Sequence, residues 1–403
     1  MGPRAHAAIR TAFVNALVLA LTLLGGACNR RRQPAIAADG KQHYTVYAVS
    51  GEVTDAKGAV NIYAATGANA LSPAAARAKP FVYVPNSRSS SVSVIDPGTY
   101  RVVRTFATGA VPQHVVPAYD LTRLWVLNNQ ASTLTPIDPI TGMNGVPVHV
   151  DDPYNLYFTP DGALAIVVAE RRERLDFRDP KTMKLDESVH TDCRGIDHME
   201  FTADGRYMIA TCEFNGRLLK VDLTTKHPVA YLPLDSTGGT ESMPQDVRSS
   251  PDGSVFFVAD MKADGVHVID PLKFEKIGFI PTGKGTHGIY PSRNGRLLYV
   301  TNRGWNTLKA GPHGQGSVSV LDPVARKVVD TWTVPGGGSP DMGNVTADGK
   351  ELWVSGRYDE AVYVFDTGTG KLTHRIRVGR EPHGLCVWPQ PGRYSLGHTG
   401  NMR

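Results

Sequence analysis

Residues 81–97 read FVYVPNSRSSSVSVIDP, and residues 298–302 and 317–323 read LYVTN and SVSVLDP. Both units contain short β-branched and aromatic runs separated by polar turns, and both end in an aspartate followed by proline. The terminal aspartate recurs along the chain as Asp96, Asp138, Asp179, Asp222, Asp270, Asp322 and Asp366. The spacings of 42, 41, 43, 48, 52 and 44 residues are typical of four-stranded propeller blades. Asx-Gly pairs such as Asp161-Gly162 predict two-residue primed turns with positive φ angles.

The two ends of the repeat region predict how the ring closes. The first unit offers strands at residues 81–85, 91–95 and 102–106 but lacks an inner strand. Residues 382–388 look like an inner strand with no blade after it. Pairing these ends completes a seventh blade and removes the exposed edges of an open sheet. We therefore expect an all-β fold over residues 80–403, a seven-bladed β-propeller of four-stranded antiparallel blades closed by its N- and C-terminal strands.

Composition and charge argue against a nucleic-acid partner. The 403-residue chain is 41% apolar and has 43 Lys+Arg against 38 Asp+Glu. Arg4 and Arg10 lie in a segment that we expect to be removed, which leaves 41 basic residues and a net charge of +3. No basic run of nucleic-acid type follows in the later part of the chain. We expect a monomer that does not bind nucleic acid.

The first 27 residues have the pattern of a secretory signal. Arg4 and Arg10 precede an apolar run over residues 12–24 that is too short to span a bilayer. The run ends in LGGAC at residues 24–28, which resembles a bacterial lipobox and implies lipidation of Cys28; the alternative is an ordinary signal peptide. Asn29 then favours the periplasmic face of the outer membrane in a cell that has one. We expect residues 28–79 to be a lipid anchor and flexible tether.

The LYVTN and SVSVLDP motifs resemble those of the YVTN-repeat propellers, and the resemblance covers residues 80–403. That family is similar in fold to surface-layer propellers and to the haem-binding propeller of dissimilatory nitrite reductase. The resemblance implies the fold but not one activity, because a propeller hosts many functions. It implies most directly an envelope-anchored binding or scaffold module whose channel mouth meets a small ligand or a protein.

Alignment of the units places polar residues at one mouth of the central channel. The inner strands begin there and contribute His114, Asn155, Asp197, His198, Asp246, His287, Asp341 and His383. The following strands end there and contribute Glu170, Glu213, Asp260, Arg303 and Arg357. A convergent polar ring of this kind predicts a ligand site. The alternative is a network that hydrogen-bonds neighbouring blades and channel water.

The charges in this ring are distributed unevenly. Carboxylates together with imidazole suit a divalent metal ion, and its predicted ligands are Glu170, His198, Glu213, Asp246 and Asp260. Arg303 and Arg357 on the other side could hold a carboxylate or phosphate bidentately. This distribution of charge therefore suggests a divalent metal ion as the cofactor.

The cysteines and the other histidines receive simpler interpretations. Cys193 precedes an inner strand and Cys212 ends the next one, so a disulfide is expected in an oxidising compartment, ahead of a metal thiolate. Cys386 is expected to be a small buried residue. The remaining histidines are expected in outer strands or surface loops: His43, His149, His227, His267, His313, His374 and His398.

No catalytic dyad can be assigned from the sequence. It contains no nucleophile elbow, Walker loop, dinucleotide fingerprint or Cys-x-x-Cys-His haem motif. Two alternatives to a binding module are left open. One is a metal-dependent lactonase- or lyase-like enzyme, since lactonase-type propellers hold a channel-mouth metal in a way that could be imitated by Asn155, Glu170, Glu213 and Asp246. The other is a haem- or copper-handling protein that uses His114, His198, His287 and His383.

Overall fold

Seven four-stranded antiparallel sheets form the blades of a propeller in the computed structural model, which describes residues 60–235 and 241–403. The predicted signal peptide, Cys28 and His43 lie outside these residues. Short 3-10 turns occur at Ala64–Thr66, Ala75–Arg77, Ser87–Ser89, Glu170–Arg172 and Glu213–Asn215. No helix in the described part of the chain has the length and apolar character needed to cross a membrane. The predicted fold class is confirmed.

Each blade has an inner strand at the channel, two middle strands and an outer strand. The inner strands are β4 (Pro112–Pro117), β8 (Pro153–Phe158), β12 (Ile196–Phe201), β16 (Pro244–Ser249), β20 (Thr286–Pro291), β24 (Pro340–Val345) and β28 (Cys386–Trp388). The second strands are β1 (Phe81–Asn86), β5 (Leu124–Asn128), β9 (Ala165–Ala169), β13 (Tyr207–Cys212), β17 (Phe256–Asp260), β21 (Leu298–Asn302) and β25 (Glu351–Gly356). The third strands are β2 (Ser91–Asp96), β6 (Thr133–Ile137), β10 (Arg174–Arg178), β14 (Arg217–Asp222), β18 (Gly265–Asp270), β22 (Ser317–Asp322) and β26 (Ala361–Asp366). The outer strands are β3 (Arg101–Ala107), β7 (Val148–His149), β11 (Leu185–His190), β15 (His227–Pro233), β19 (Glu275–Pro281), β23 (Lys327–Thr333) and β27 (Leu372–Arg377).

The ring closes as the sequence predicts. Strand β28 pairs antiparallel with β1, and Phe81 lies opposite Trp388 while Tyr83 lies opposite Cys386. An isolated bridge between Asn86 and Pro382 extends the contact toward the mouth. The last inner strand therefore completes the first blade, and no inner edge is left unpaired at the junction.

The repeated aspartates at the ends of the third strands stabilise turns. Oδ1 of Asp179 accepts the backbone N–H groups of Lys181 (3.0 Å) and Thr182 (2.7 Å). Oδ1 of Asp322 accepts the backbone N–H groups of Val324 and Ala325 in the same way. The hydrogen bonds from Thr182 lower the pKa of Asp179. The aspartate that reveals the repeat is thus a structural residue.

The Asx-Gly turns differ in one detail from the prediction. Gly162 has φ +68° and Gly295 has φ +68°, but Asp161 and Asn294 do not adopt positive φ. The Asp161 carboxylate accepts the N–H of Ala163 at 3.0 Å, which stabilises an Asx turn without positive φ at the aspartate. The prediction of primed two-residue turns is therefore wrong, because only the glycine of each pair takes the left-handed conformation.

Two terminal segments cover the end of the channel opposite the predicted mouth. We call residues 60–79 the N-terminal strap and residues 389–403 the C-terminal strap. Ile62 N donates to Pro251 O at 2.8 Å, and a parallel bridge between Leu71 and Gly392 joins the two straps. Tyr63 is 8% exposed. The last 20 residues assigned to the flexible tether therefore pack on the propeller, because the loops after the inner strands offer them backbone partners and an apolar surface.

Candidate functional site: the channel mouth and the chamber beneath it

Bulges near the start of the inner strands free their side chains to enter the channel. In six blades the register against the second strand shifts at this point, as between Pro112 and Val115 in β4. A bulged residue lies outside the regular ladder, so its side chain can be re-aimed. Most of the predicted inner-strand residues lie within these bulges: His114, Asp197, His198, Asp246, His287 and Asp341.

Five buried histidines form a chamber inside the channel. We call this the histidine chamber, and its members are His114, His198, His287, His383 and His398, each at most 2% exposed. The ring centroids of His198 and His398 are 4.6 Å apart, and those of His114 and His383 are 4.8 Å apart. Burial lowers the pKa of His114, His287 and His398 well below the ordinary value and that of His383 to about 4. These four imidazoles are neutral at pH 7.

One side of the chamber is organised by Asp341. Its carboxylate lies 2.7 Å from Nε of Arg303, 2.7 Å from Nδ1 of His383 and 3.0 Å from Nδ1 of His287. Burial alone would raise the pKa of Asp341, but Arg303 and the two histidines hold it well below the usual range. This group balances its own charge inside the protein, and Arg303 is therefore engaged by Asp341 rather than free for a ligand.

The opposite side of the chamber contains two rings that face one another. Nδ1 of His114 lies 2.9 Å from the carbonyl oxygen of Tyr154, and Nδ1 of His198 lies 3.0 Å from Oδ2 of Asp197. The Nε2 atoms of the two rings are 3.5 Å apart. The His114 ring also needs the glycine at position 384, because a Cβ there would lie 2.1 Å from its Cδ2 atom.

His398 completes the chamber, and the sequence analysis assigned it wrongly to the surface. It belongs to the C-terminal strap and is fully buried, with Nδ1 3.1 Å from the side-chain Nδ2 of Asn155. Gly397 brings it there with φ +102°, and a Cβ at that position would lie 2.2 Å from Leu156 O. The strap lies outside the blade repeat, so repeat alignment could not place this histidine in the channel. The sequence feature that could have drawn attention to His398 is the presence of Gly397 and Gly400 close to it.

Three carboxylates gather at the open end of the channel, and we call them the acidic mouth: Glu170, Asp197 and Glu213. Asp197 is 1% exposed, Glu213 is 8% exposed and Glu170 is partly exposed. Burial and the neighbouring carboxylates raise the pKa of Glu170 to about 8, and burial and Asp197 raise that of Glu213 to about 8. Gln245 Nε2 donates to Glu213 at 3.0 Å. Within residues 60–235 and 241–403, neither oxygen of Asp197 accepts a well-aligned hydrogen bond.

Several arginines act on the acidic mouth. The charges of Arg303 and Arg357 both lower the pKa of Glu213, and that of Arg357 also lowers the pKa of Tyr154. The Nη1 atom of Arg357 is buried and has no hydrogen-bond partner among the described residues. Arg303 is paired with Asp341, and Arg171, which acts on Glu170, is paired with Asp152. Among the described arginines that act on the acidic mouth, Arg357 is therefore the one without an ion pair.

Asp246 and Asp260 do not join the predicted metal ligands. Asp246 accepts from Arg248 Nη1 at 2.9 Å and from Ile289 N at 2.9 Å. Asp260 accepts from Met243 N at 2.8 Å and lies 3.0 Å from Nε2 of His267. Their oxygens are occupied by hydrogen bonds within the fifth blade and, for Asp246, by one from the sixth, so neither is available as a metal ligand. His267 is 4% exposed, which corrects its assignment to the surface.

A disulfide lies next to the acidic mouth. The sulfur atoms of Cys193 and Cys212 are 2.04 Å apart, and Cys386 is a free, buried cysteine. The bridge joins the loop before β12 to the end of β13. It therefore links the two segments that carry Asp197 and Glu213, which are both parts of the fourth blade.

The relatives of this chain agree with the blade architecture. A family model of YNCE-like β-propellers matches residues 45–392. The chain belongs to the YNCE-like β-propeller family. The matched residues of this YNCE-like propeller include the N-terminal strap and the acidic mouth, whereas His398 lies beyond them. No curated protein matches the sequence.

Solved structures with the same fold have varied functions. The chain is similar to hydrazine synthase of Kuenenia stuttgartiensis, with 20% identity, a TM-score of 0.58, and coverage of 72% of this chain and 93% of that one. It is also similar to a putative 6-phosphogluconolactonase of Bacteroides uniformis (19% identity, TM-score 0.60, coverage 76% and 98%). The dihydro-haem d1 dehydrogenase NirN gives 13% identity, a TM-score of 0.55, and coverage of 76% and 75%. At these identities the similarity establishes the fold alone.

Proposed function

We propose that this chain is an envelope-anchored binding protein that takes up a small cation at the acidic mouth. The observation that supports the proposal is the shortage of positive partners around Glu170, Asp197 and Glu213. A buried carboxylate must be neutralised by a proton, a salt bridge or a bound cation. Two of these groups retain protons near neutral pH, and a bound cation would replace those protons.

The surroundings of the three carboxylates suit a cationic group of small size. They extend from the partly exposed Glu170 to the buried Asp197, so charge is available from the rim inward. The Tyr154 hydroxyl interacts with all three carboxylates, so an aromatic side chain, a group that attracts organic ammonium ions, lies beside the site. Carboxylate oxygens alone would equally suit Ca²⁺. A metal ion and an organic ammonium group both offer a compact positive charge, and the experiment below decides which of the two binds.

The test is calorimetric titration of the full chain, purified in mild detergent, with calcium chloride and separately with 1,4-diaminobutane. We expect one of the two to bind with one site per chain. The double variant Glu170→Gln/Glu213→Gln should weaken that binding by at least about tenfold, because it removes two charge-assisted contacts. Glu360→Gln, at a carboxylate whose side chain is 44% exposed, is the matched control. Absence of binding, or equal binding by the double variant, would contradict the proposal.

The anchoring part of the proposal rests on Cys28. Two or more acyl chains give stable membrane attachment, so replacing the cysteine should release the protein. We expect Cys28→Ala to move the chain from the membrane fraction to the soluble fraction or to block its processing. An unchanged membrane fraction would rule out lipidation at this position.

An enzyme of the lactonase or lyase class is the second candidate. It is favoured by the pKa of about 8 for Glu170 and Glu213, because groups that titrate near neutral pH are suited to proton transfer. Lactone hydrolysis by the wild type that is lost in Glu213→Gln would favour this candidate over simple binding. No hydrolysis by the wild type across a panel of lactones would count against it.

A further inference from the structure

The histidine chamber contains three rings whose nitrogens converge. One ring nitrogen from each of His114, His198 and His398 lies within 4.8 Å of the other two. All three side chains are fully buried, and they come from β4, from β12 and from the C-terminal strap. The group therefore joins the second blade, the fourth blade and the end of the chain around one point.

The Nδ1 atoms of two rings, His114 and His198, face outer partners, so that their Nε2 atoms face this point. Tyr154 O can only accept, so Nδ1 of His114 carries the proton of that ring. Nδ1 of His198 lies 3.0 Å from Oδ2 of Asp197, although this contact is not a well-aligned hydrogen bond. The Nε2 atoms of His114 and His198 are 3.5 Å apart. With its proton on Nδ1, His114 presents the lone pair of Nε2 to the inner point, and a positive ion there can bind both Nε2 atoms.

The spacing of these atoms fits coordination of one ion. With metal–nitrogen bonds of about 2.0–2.1 Å, two imidazoles on a tetrahedral ion have their nitrogens about 3.4 Å apart. The observed 3.5 Å agrees with that value, and a nitrogen of His398 lies within 4.8 Å of both other nitrogens, from where it can move in to supply a third ligand. The contacts of His114 and His198 with a carbonyl and a carboxylate are the outer-shell partners that histidine ligands normally have.

We propose that His114, His198 and His398 bind one divalent transition-metal ion, Zn²⁺ or Cu²⁺. Three imidazoles without a thiolate suit these ions, and the fourth position is left for water or another small ligand. The ring centroids are only 4.6–5.5 Å apart, which leaves space for an ion but not for a haem. The site is separate from the carboxylates of the acidic mouth, apart from the contact of Asp197 with His198.

The ion would also hold the C-terminal strap inside the channel. His398 N donates to Leu156 O at 2.9 Å, and Ser395 N donates to Tyr119 O at 3.1 Å, so the strap already lies along the inner strands. Coordination by His398 adds a bond between this segment and two blades. Metal removal should therefore loosen the strap, which increases amide hydrogen exchange in residues 395–399 of the full chain.

The experiment uses the full chain, stripped with a chelator and titrated with Zn²⁺, Cu²⁺ and the spectroscopic probe Co²⁺. We expect one ion per chain and, with Co²⁺, the visible absorption of a low-coordinate nitrogen site. His114→Ala, His198→Ala and His398→Ala should each weaken binding by more than the roughly 10–100-fold that loss of an outer-shell partner costs. His149→Ala, at an imidazole that is 77% exposed, is the control and should bind like the wild type.

Two further measurements keep the result decisive if an alanine variant fails to fold. Gly397→Ala displaces the C-terminal strap without removing a metal ligand, so it should also weaken metal binding. Circular dichroism shows whether this variant is still folded. The wild type itself must take up one ion and melt at a higher temperature with it. Failure of the stripped wild type to bind any of the three ions would overturn the proposal, and so would undiminished binding by folded histidine variants. Glu170→Gln/Glu213→Gln should retain this metal, so the result is independent of the proposed function.

Discussion

Two groups of buried carboxylates lie in one channel: Asp341 with the side chains around it, which we call the Asp341 cluster, and the acidic mouth. The first has positive partners inside the protein, and the second lacks enough of them. Asp341 is surrounded by Arg303, His287 and His383, and its pKa is held low. In the acidic mouth, Glu170 and Glu213 have pKa values of about 8. This difference shows that burial of a carboxylate does not by itself identify a ligand-binding site. A buried carboxylate with internal partners supports the fold, whereas one without them is available for a ligand.

The largest change in the free energy of unfolding is expected from substitution of Asp341, whose charge is neutralised inside the protein. Asp341→Asn leaves the buried Arg303 without its partner, and loss of one member of a buried ion pair typically costs about 3–5 kcal/mol. We expect the free energy of unfolding in denaturant titration to fall by this amount. Glu213→Gln, also a buried carboxyl-to-amide change, is the matched control and should not destabilise the chain. Equal losses in both variants would remove the distinction between the two regions.

A smaller effect of opposite sign is expected from the acidic mouth. The folded-state pKa of Glu170 and Glu213 is about 8, above the ordinary value of 4.5. Between these values the unfolded chain has released protons that the folded chain retains, so these two groups reduce stability as pH rises from about 4.5 to 8. Glu213→Gln should therefore raise the free energy of unfolding at pH 8 by roughly 1–3 kcal/mol.

The control for this change is the same variant at pH 5, just above the ordinary pKa of 4.5, where little of the loss of stability has accumulated and the gain should be smaller than at pH 8. Denaturant titrations of the wild type and the variant at the two pH values provide the measurement. A gain that is the same at pH 5 and pH 8 would show that the glutamate is not titrating in this range.

The fold could be predicted because its determinants are local and repeated. The terminal aspartates and the β-rich runs recur in every blade, the Asx-Gly turns recur in five of the seven, and closure follows from counting strands. The strap contacts were missed because residues 60–79 carry no repeat and their partners, such as Pro251, are distant in the sequence. The turn type was missed because the Asp161 side chain decides the conformation of its own backbone.

The candidate site could be predicted only in its outline. Repeat alignment placed His114, His198, His287, His383 and Asp341 at the channel because each occupies the same position in its blade. The alignment could not show which carboxylates already have partners, so it grouped Asp246 and Asp260 with Glu213. It also could not show that the C-terminal segment folds back into the channel, and His398 was therefore assigned to the surface.

The central claim is that the acidic mouth exchanges protons for a cation, and proton release on binding tests it most directly. Calorimetric titration of the full chain at pH 7 in two buffers of different ionisation enthalpy measures the number of protons released by whichever of calcium or 1,4-diaminobutane binds. We expect release of about one proton or more per cation, and binding that tightens as pH rises from 6.5 to 9. The release should disappear in Glu170→Gln/Glu213→Gln and persist in His114→Ala. Binding with no proton release and no pH dependence would contradict the claim.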